Sequence, residues 1–222
     1  MAVAETLFSV GPLEVTHFTA TSWGVMSVLS VGAYAATKKL QKDPKGYQNV
    51  VEFLIEGLYN FFEEMLGPTR IKKYFPLIAT LFLFILFSNY VGLLPLAGAG
   101  LYIPPTATLS VTVALAVIAV LSQHVFGVAT NGLGYLKHFI QPFWVMLPLN
   151  LLEEIVKPVS LSFRLYGNVY GKELVIHTLM ALSPWLIPVV ILLLGTLLST
   201  IQAFVFALLT AVYISGATEQ HH

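Results

Sequence analysis

The chain has no cysteine, which excludes disulfides, thiolate metal sites and cysteine nucleophiles. Charge is almost as scarce. Asp, Glu, Lys and Arg make up only 10% of the 222 residues, and eleven basic side chains cancel eleven acidic ones. A net charge of zero leaves no electrostatic footprint for nucleic acid. Residues 1–18 hold no Lys or Arg and carry Glu5 and Glu14, which suits neither the basic start of a secretory signal nor an Arg-rich transit peptide. This stretch is expected as a mature, exposed outer segment. No internal repeat or low-complexity run is present.

What is abundant is apolar surface. Hydrophobic residues make up 57% of the chain and its mean hydropathy is +0.81, far above an ordinary soluble domain. The fold class expected is an all-α polytopic membrane protein in a single membrane domain. Residues 19–37 form an uncharged run of about the 20 residues that one helical crossing needs, and are read as span 1. Seven of the eleven Lys and Arg residues then lie between Lys38 and Lys73. By the positive-inside rule, 38–74 is a cytoplasmic basic segment and the N-terminus is outside.

Within that segment Val50, Val51, Phe53, Leu54, Leu58, Phe61, Phe62 and Met65 recur at helical spacing, with Glu52, Glu56, Glu63 and Glu64 at other positions. The pattern predicts an amphipathic helix on the cytoplasmic face, closed by Gly67-Pro68. Span 2 is expected over 75–96, with Asn89 and Tyr90 near its far end. After an outer turn at 98–105, Pro104-Pro105 suits a helix start, and span 3 follows over 106–128. Thr106, Thr108, Ser110 and Thr112 in its outer part either satisfy backbone and neighbouring helices or line a polar path. Residues 129–138 read as a Gly-rich inner loop with Lys137 and His138.

Two long apolar segments remain, 141–182 and 189–216. Fully helical, the first would be roughly 60 Å long, about twice the hydrocarbon core. It is therefore broken near Pro148 or Pro158, or strongly inclined; the pair is read as a long, tilted helical hairpin turning at about Pro184. The total is about five crossings, with Thr218, Glu219 and Gln220 in the cytoplasm.

The charges in this hairpin carry the functional signal. A charged side chain at bilayer depth costs at least roughly 2.5–3.5 kcal/mol, so it faces a protein interior, a partner or water. At 100° per residue, Glu153, Lys157, Arg164 and Asn168 lie on one stripe, while Glu173, followed by His177, is about 180° from Arg164 and about 13.5 Å further along. Two polar environments on opposite faces are expected. Matching depths about Pro184 sets Gln202 opposite Arg164, where its amide would orient the guanidinium without neutralising it. The same matching sets Gly195 opposite Glu173, where the missing side chain leaves room for a carboxyl.

The run Lys157-Pro158-Val159-Ser160-Leu161-Ser162-Phe163-Arg164-Leu165-Tyr166-Gly167-Asn168, together with Glu173 and Ile201-Gln202-Ala203-Phe204-Val205-Phe206, resembles the signature of subunit a of the F-type ATP synthase membrane sector. The likeness extends to Ser88-Asn89-Tyr90-Val91-Gly92-Leu93-Leu94-Pro95 and to the layout of spans. It implies a stator beside a rotating ring of c subunits, not catalytic alone, with two offset aqueous half-channels for protons. Arg164 would face the ring as the gate that couples translocation to rotation, with Asn168 and Gln202 close to it. Glu173, with His177, would belong to the outer half-channel, and Glu153 or Glu154 would line the inner one. The partners implied are the c-ring, peripheral-stalk b subunits, the remaining synthase subunits and the lipid bilayer. No nucleic acid, cofactor or metal is implied, and a bacterial plasma membrane is expected rather than a thylakoid. H⁺ and Na⁺ both stay open as coupling ion. The alternatives are a secondary ion transporter, whose internal repeats and paired broken helices are not seen here, and a non-conducting membrane scaffold.

Overall fold

The structure is a computed structural model and describes residues 6–10, 13–38, 46–93, 104–132, 134–135, 144–179 and 186–218. The expected hairpin turn at Pro184, the loop residues Lys137 and His138, the C-terminal Glu219 and Gln220, and most of the basic run after Lys38 lie outside the described residues. Helices dominate, and among the described residues three are long and apolar enough to cross a membrane: Pro68–Val91, Leu109–Asn131 and Val189–Thr218.

One feature departs from an all-helical expectation. Within 1–18, β1 (Thr6–Val10) and β2 (Leu13–Thr16) pair antiparallel, Phe8 opposite Val15 and Val10 opposite Leu13. Gly11-Pro12 between them is a turn-forming dipeptide. Helix α1 (His17–Thr37) follows at once. Its hydroxyls bond back along the helix, Thr21 to the His17 carbonyl and Ser22 to that of Phe18, which keeps polar groups satisfied on a surface otherwise presenting Trp23, Met26, Val28 and Val31 outward.

Helix α2 (Tyr47–Leu66) buries Phe62 and Leu66 but leaves Val50, Val51, Phe53 and Leu54 exposed. Its apolar face therefore packs only through its second half. Gly67 ends it at φ +79, a left-handed conformation that glycine adopts without strain, and Pro68 takes the first position of α3 (Pro68–Val91). Because that proline starts the helix, α3 begins seven residues before the expected span and takes Arg70, Lys72 and Lys73 into its first turns. Helix α4 (Leu109–Asn131) starts three residues later than expected, since Pro105–Ala107 forms a 3-10 turn.

The long segments become α5 (Leu147–Leu179) and α6 (Leu186–Thr218), 33 residues each, roughly 50 Å by helical rise. α5 runs unbroken through Pro158, so a break there is excluded. Pro158 nevertheless supplies no N–H to the ladder, and the Ser162 hydroxyl donates to its carbonyl at 2.6 Å.

The core forms where α3, α4, α5 and α6 meet, around Leu81, Ile85, Leu115, Leu161, Leu165 and Phe206. A second cluster seats Phe62 and Leu66 of α2 on Ile71, Tyr74 and Ile78 of α3 and on Ile214 of α6. Fully buried Ala116, Ala119, Ala203, Ala207 and Ala211 line these contacts; small residues let helix backbones approach closely where the hydrophobic effect between helices is weak.

Candidate functional site

On α5, buried Leu161, Ser162, Leu165 and Val169 mark the side turned to the other helices. Glu154 and Lys172 are five full turns apart, so both lie on that side, about 80° around the helix from Arg164. Each is the centre of a polar cluster, and Arg164 lies between them in height.

At the Asn131 end of α4, Glu154 is enclosed, with 15% of its side chain exposed against 67% for Glu153. Gln123 Nε2 donates to its two oxygens at 3.1 and 3.2 Å, and Lys157 Nζ donates to Oε1 at 2.5 Å. Glu153 reaches only Lys157, at 3.7 Å. The His124 ring has its Nε2 3.4 Å from Glu154 Oε2 and its Nδ1 2.8 Å from the Tyr135 hydroxyl. Tyr135 is buried because Gly127 leaves space for its ring. That burial raises the phenol above its usual range, partly offset by a hydrogen bond with Gln123, so Tyr135 is a neutral hydrogen-bonding group at physiological pH. Gln123 Oε1 is buried without a hydrogen-bond partner. From α6, the Tyr213 ring lies 5.3 Å from Lys157 Nζ.

The second cluster gathers four segments at the other end. Asn89 of α3 is nearly fully buried; its Oδ1 accepts from Thr106 Oγ1 at 2.7 Å and its Nδ2 donates to the Ser199 carbonyl at 3.4 Å. Lys172 Nζ donates to Ser199 Oγ at 2.5 Å. Tyr90 and Thr200 hydroxyls meet at 2.8 Å, and Asn168 Nδ2 donates to the Leu198 carbonyl at 3.4 Å. Ser88 Oγ is buried without a partner. Thr106 and Thr112 thus serve in part as interhelical and backbone glue.

Among the described side chains, Lys172 lies against Gly195, its Cδ 3.1 Å from a Cβ at position 195. Depth matching places this turn of α5 there. The backbone of Glu173 and His177 continues α5; their side chains lie outside the described residues.

Arg164 itself is exposed, and no hydrogen bond or ion pair to it is recorded among the described residues. Gln202 is buried at the expected level on α6, yet its Nε2 has no partner. The two are level but not bonded. Phe163, next to it in the chain, and Ile201 of α6 are also exposed. Among the described residues no three His, Asp or Glu side chains gather as a metal site.

Sequence reasoning singled out Glu154, Asn168 and Gln202 but missed Gln123, His124, Tyr135 and Ser199 as their surroundings. A signal for the first two existed: Gln123-His124 is an amide and a titratable ring inside an otherwise apolar run.

Comparison with known proteins places this arrangement in context. A family model described as ATP synthase A chain matches residues 19–215. ATP synthase subunit a of Moorella thermoacetica is 44% identical over 216 residues, 97% of this chain and 96% of that protein. ATP synthase subunit a of Geobacter sulfurreducens is 46% identical over 207 residues, 91% of this chain and 88% of that protein. For ATP synthase subunit a of Trichlorobacter lovleyi the identity is 44% over 205 residues, covering 90% and 86% of the two chains.

Proposed function

The chain belongs to the ATP synthase A chain family, subunit a of the F-type ATP synthase membrane sector, and on that premise we propose that it is the stator of the rotary motor, with Arg164 as the gate between two half-channels. It is a membrane component of proton transport and ATP synthesis and partners with other synthase subunits. The proposal adds five crossings, from α1, α3, α4 and the α5–α6 hairpin lying inclined, with the N-terminus outside. It adds as partners the c-ring, against the Arg164 face, and peripheral-stalk b subunits. It also adds a bacterial plasma membrane, in keeping with relatives that are all bacterial. The subunit is not catalytic alone.

The single observation that carries this reading is the position of Arg164, exposed on α5 at a height between two buried polar clusters. An unpaired guanidinium at bilayer depth is costly, so its counter-charge comes from outside the chain. A carboxylate on each passing ring subunit supplies it. At an effective dielectric of about 20, such a pair at about 4 Å gains roughly 4 kcal/mol, which favours the ionised carboxylate and drives its proton off. Arginine keeps its own proton, so none leaks from one half-channel to the other through it.

The inner half-channel would end at Glu154, whose enclosure and contacts favour it over the exposed Glu153. The outer one would run past Asn89, Thr106, Ser199 and Lys172 to Glu173 and His177, with Asn168 and Gln202 flanking Arg164 and Gly195 giving room beside Lys172. Glu173 is the titratable member, able to pass protons where Arg164 cannot. The test is Arg164→Gln, with Arg164→Ala beside it, in complexes reconstituted into vesicles. Loss of ATP-driven proton pumping with assembly retained is expected; normal coupled pumping would sink the gate and leave a scaffold or a self-contained transporter.

A further inference from the structure

His124 is the only ring in the inner cluster that touches both the enclosed carboxylate and the outside. Its side chain is 31% exposed, about twice Glu154 at 15%. One nitrogen faces Glu154 Oε2 on α5 and the other is held by the Tyr135 hydroxyl from the segment after α4. Among the described residues, the groups facing this site are Glu154, Lys157 and Glu153 of α5, Gln123 of α4, Tyr135, and Tyr213 of α6 by way of Lys157.

Two readings compete. As helix glue, the ring would satisfy Glu154. Glu154 already receives two hydrogen bonds from Gln123 and one from Lys157, all shorter than the 3.4 Å to the imidazole. The carboxylate therefore does not need His124 for solvation. What the ring alone adds is a nitrogen that can both accept and donate a proton. The Glu154 carboxyl is enclosed, at 15% exposure, whereas the His124 ring at 31% meets solvent, where an imidazole exchanges protons readily. The orphaned Gln123 Oε1 adds an acceptor that a water molecule on such a path would satisfy.

We infer that His124 is a proton-exchanging residue at the inner mouth of the channel, passing protons between Glu154 and the inner solvent, with Tyr135 as the residue that positions its ring. In the outgoing direction the proton on the Glu154 carboxyl moves from Oε2 to Nε2, leaving a carboxylate beside Lys157 and an imidazolium. The imidazolium then releases one proton to water and returns to the neutral ring. The incoming direction is the reverse. This rests on the half-channel reading above and names a residue that reading does not include.

The experiment measures passive proton flux through the reconstituted complex after removal of its catalytic sector, with pH varied on the inner side. The variants are His124→Ala, His124→Gln, Tyr135→Phe and, in parallel, Arg164→Gln. His124→Ala is expected to lose flux roughly tenfold or more and to lose the inflection that wild type shows as inner pH is varied. Millimolar imidazole in the medium should restore much of the flux in His124→Ala. His124→Gln, which keeps hydrogen bonding but cannot titrate, should lose flux similarly, whereas Tyr135→Phe should lose less and keep the inflection. Wild-type flux and profile in both His124 variants would overturn the inference, as would a loss that imidazole leaves unrestored, which marks a structural role. Either result, with ATP-driven pumping lost in the intact Arg164→Gln complex as expected, removes His124 alone; normal ATP-driven pumping by that intact complex removes the half-channel reading itself.

Discussion

Replacing Gly127 with alanine puts the inner cluster to a quantitative test. A Cβ at this position would lie 2.6, 2.8 and 3.0 Å from three carbons of the Tyr135 ring, whereas carbon atoms settle at about 3.5–4.0 Å. The ring must retreat by about 1 Å. Tyr135 is only 5% exposed, so it retreats into packed neighbours. Its hydroxyl is 2.8 Å from His124 Nδ1, and a shift of that size carries the pair beyond the usual limit of about 3.2 Å. Overpacking costs about 1–3 kcal/mol and the lost hydrogen bond about 1 kcal/mol. Against these, alanine gains about 1 kcal/mol over glycine inside a helix. The net expectation is a loss of about 1–3 kcal/mol. Gly57→Ala on α2 is the control, because no atom lies within 4 Å of its added Cβ; only the helix gain of about 0.5–1 kcal/mol remains there. Heat-induced dissociation of the purified complex in detergent should occur at lower temperature for Gly127→Ala and at unchanged or higher temperature for Gly57→Ala. Equal behaviour of the two variants would refute the packing of Tyr135 over Gly127, and with it the tether on His124.

Two further predictions concern the outer side. Glu173→Gln removes a titratable group at nearly constant shape, so proton passage should fall while the assembled complex is recovered in normal amount; membranes of this variant pumping at the normal rate would make Glu173 structural only. Gly195→Leu drives a branched side chain toward Lys172 Cδ and Leu93 Cδ2, which a bare Cβ would already meet at 3.1 and 3.5 Å. About 1–3 kcal/mol of overpacking should separate α5 from α6 and depress ATP-driven pumping, and full activity would undercut the pairing of these two helices.

How much of this was legible in the sequence follows from what each signal specifies. Caps and breakers act locally, and Gly67-Pro68 ends α2 as read. Antiparallel depth matching also carries over: Asn168 meets Leu198, and Lys172 meets Gly195 and Ser199, all within about one turn of a register centred on residue 184. Depth is one coordinate of two, however. Which side chain points across the seam depends on azimuth, where an error of one residue is 100°, and Lys172 is the described α5 side chain beside Gly195. The inner cluster was harder still. Gln123 and Glu154 are 31 residues apart with a loop between them, and nothing in either segment specifies which faces of α4 and α5 meet. The β1–β2 hairpin had a readable signal in Gly11-Pro12 that the scarcity of charge around it overshadowed.

The two clusters and the arginine also constrain one another. Glu154 and Lys172 share an azimuth on the buried side of α5, about 27 Å apart along its axis, and on the proposed reading they belong to different half-channels. A polar path running straight along that side would connect the two aqueous phases and discharge the membrane. Between the clusters that side is closed instead by Leu161, Leu165 and Val169, at most 2% exposed and packed in part on Phe206 and Ala203. Arg164, with no hydrogen bond or ion pair among the described residues, leaves the closed side by about 80°. On the proposed reading a proton therefore cannot pass along α5; it leaves one cluster on a carrier that moves across the Arg164 face and returns at the other. Opening the seal should then short-circuit the motor without harming the gate. On that reading the apolar plug, and not the guanidinium alone, would make rotation obligatory.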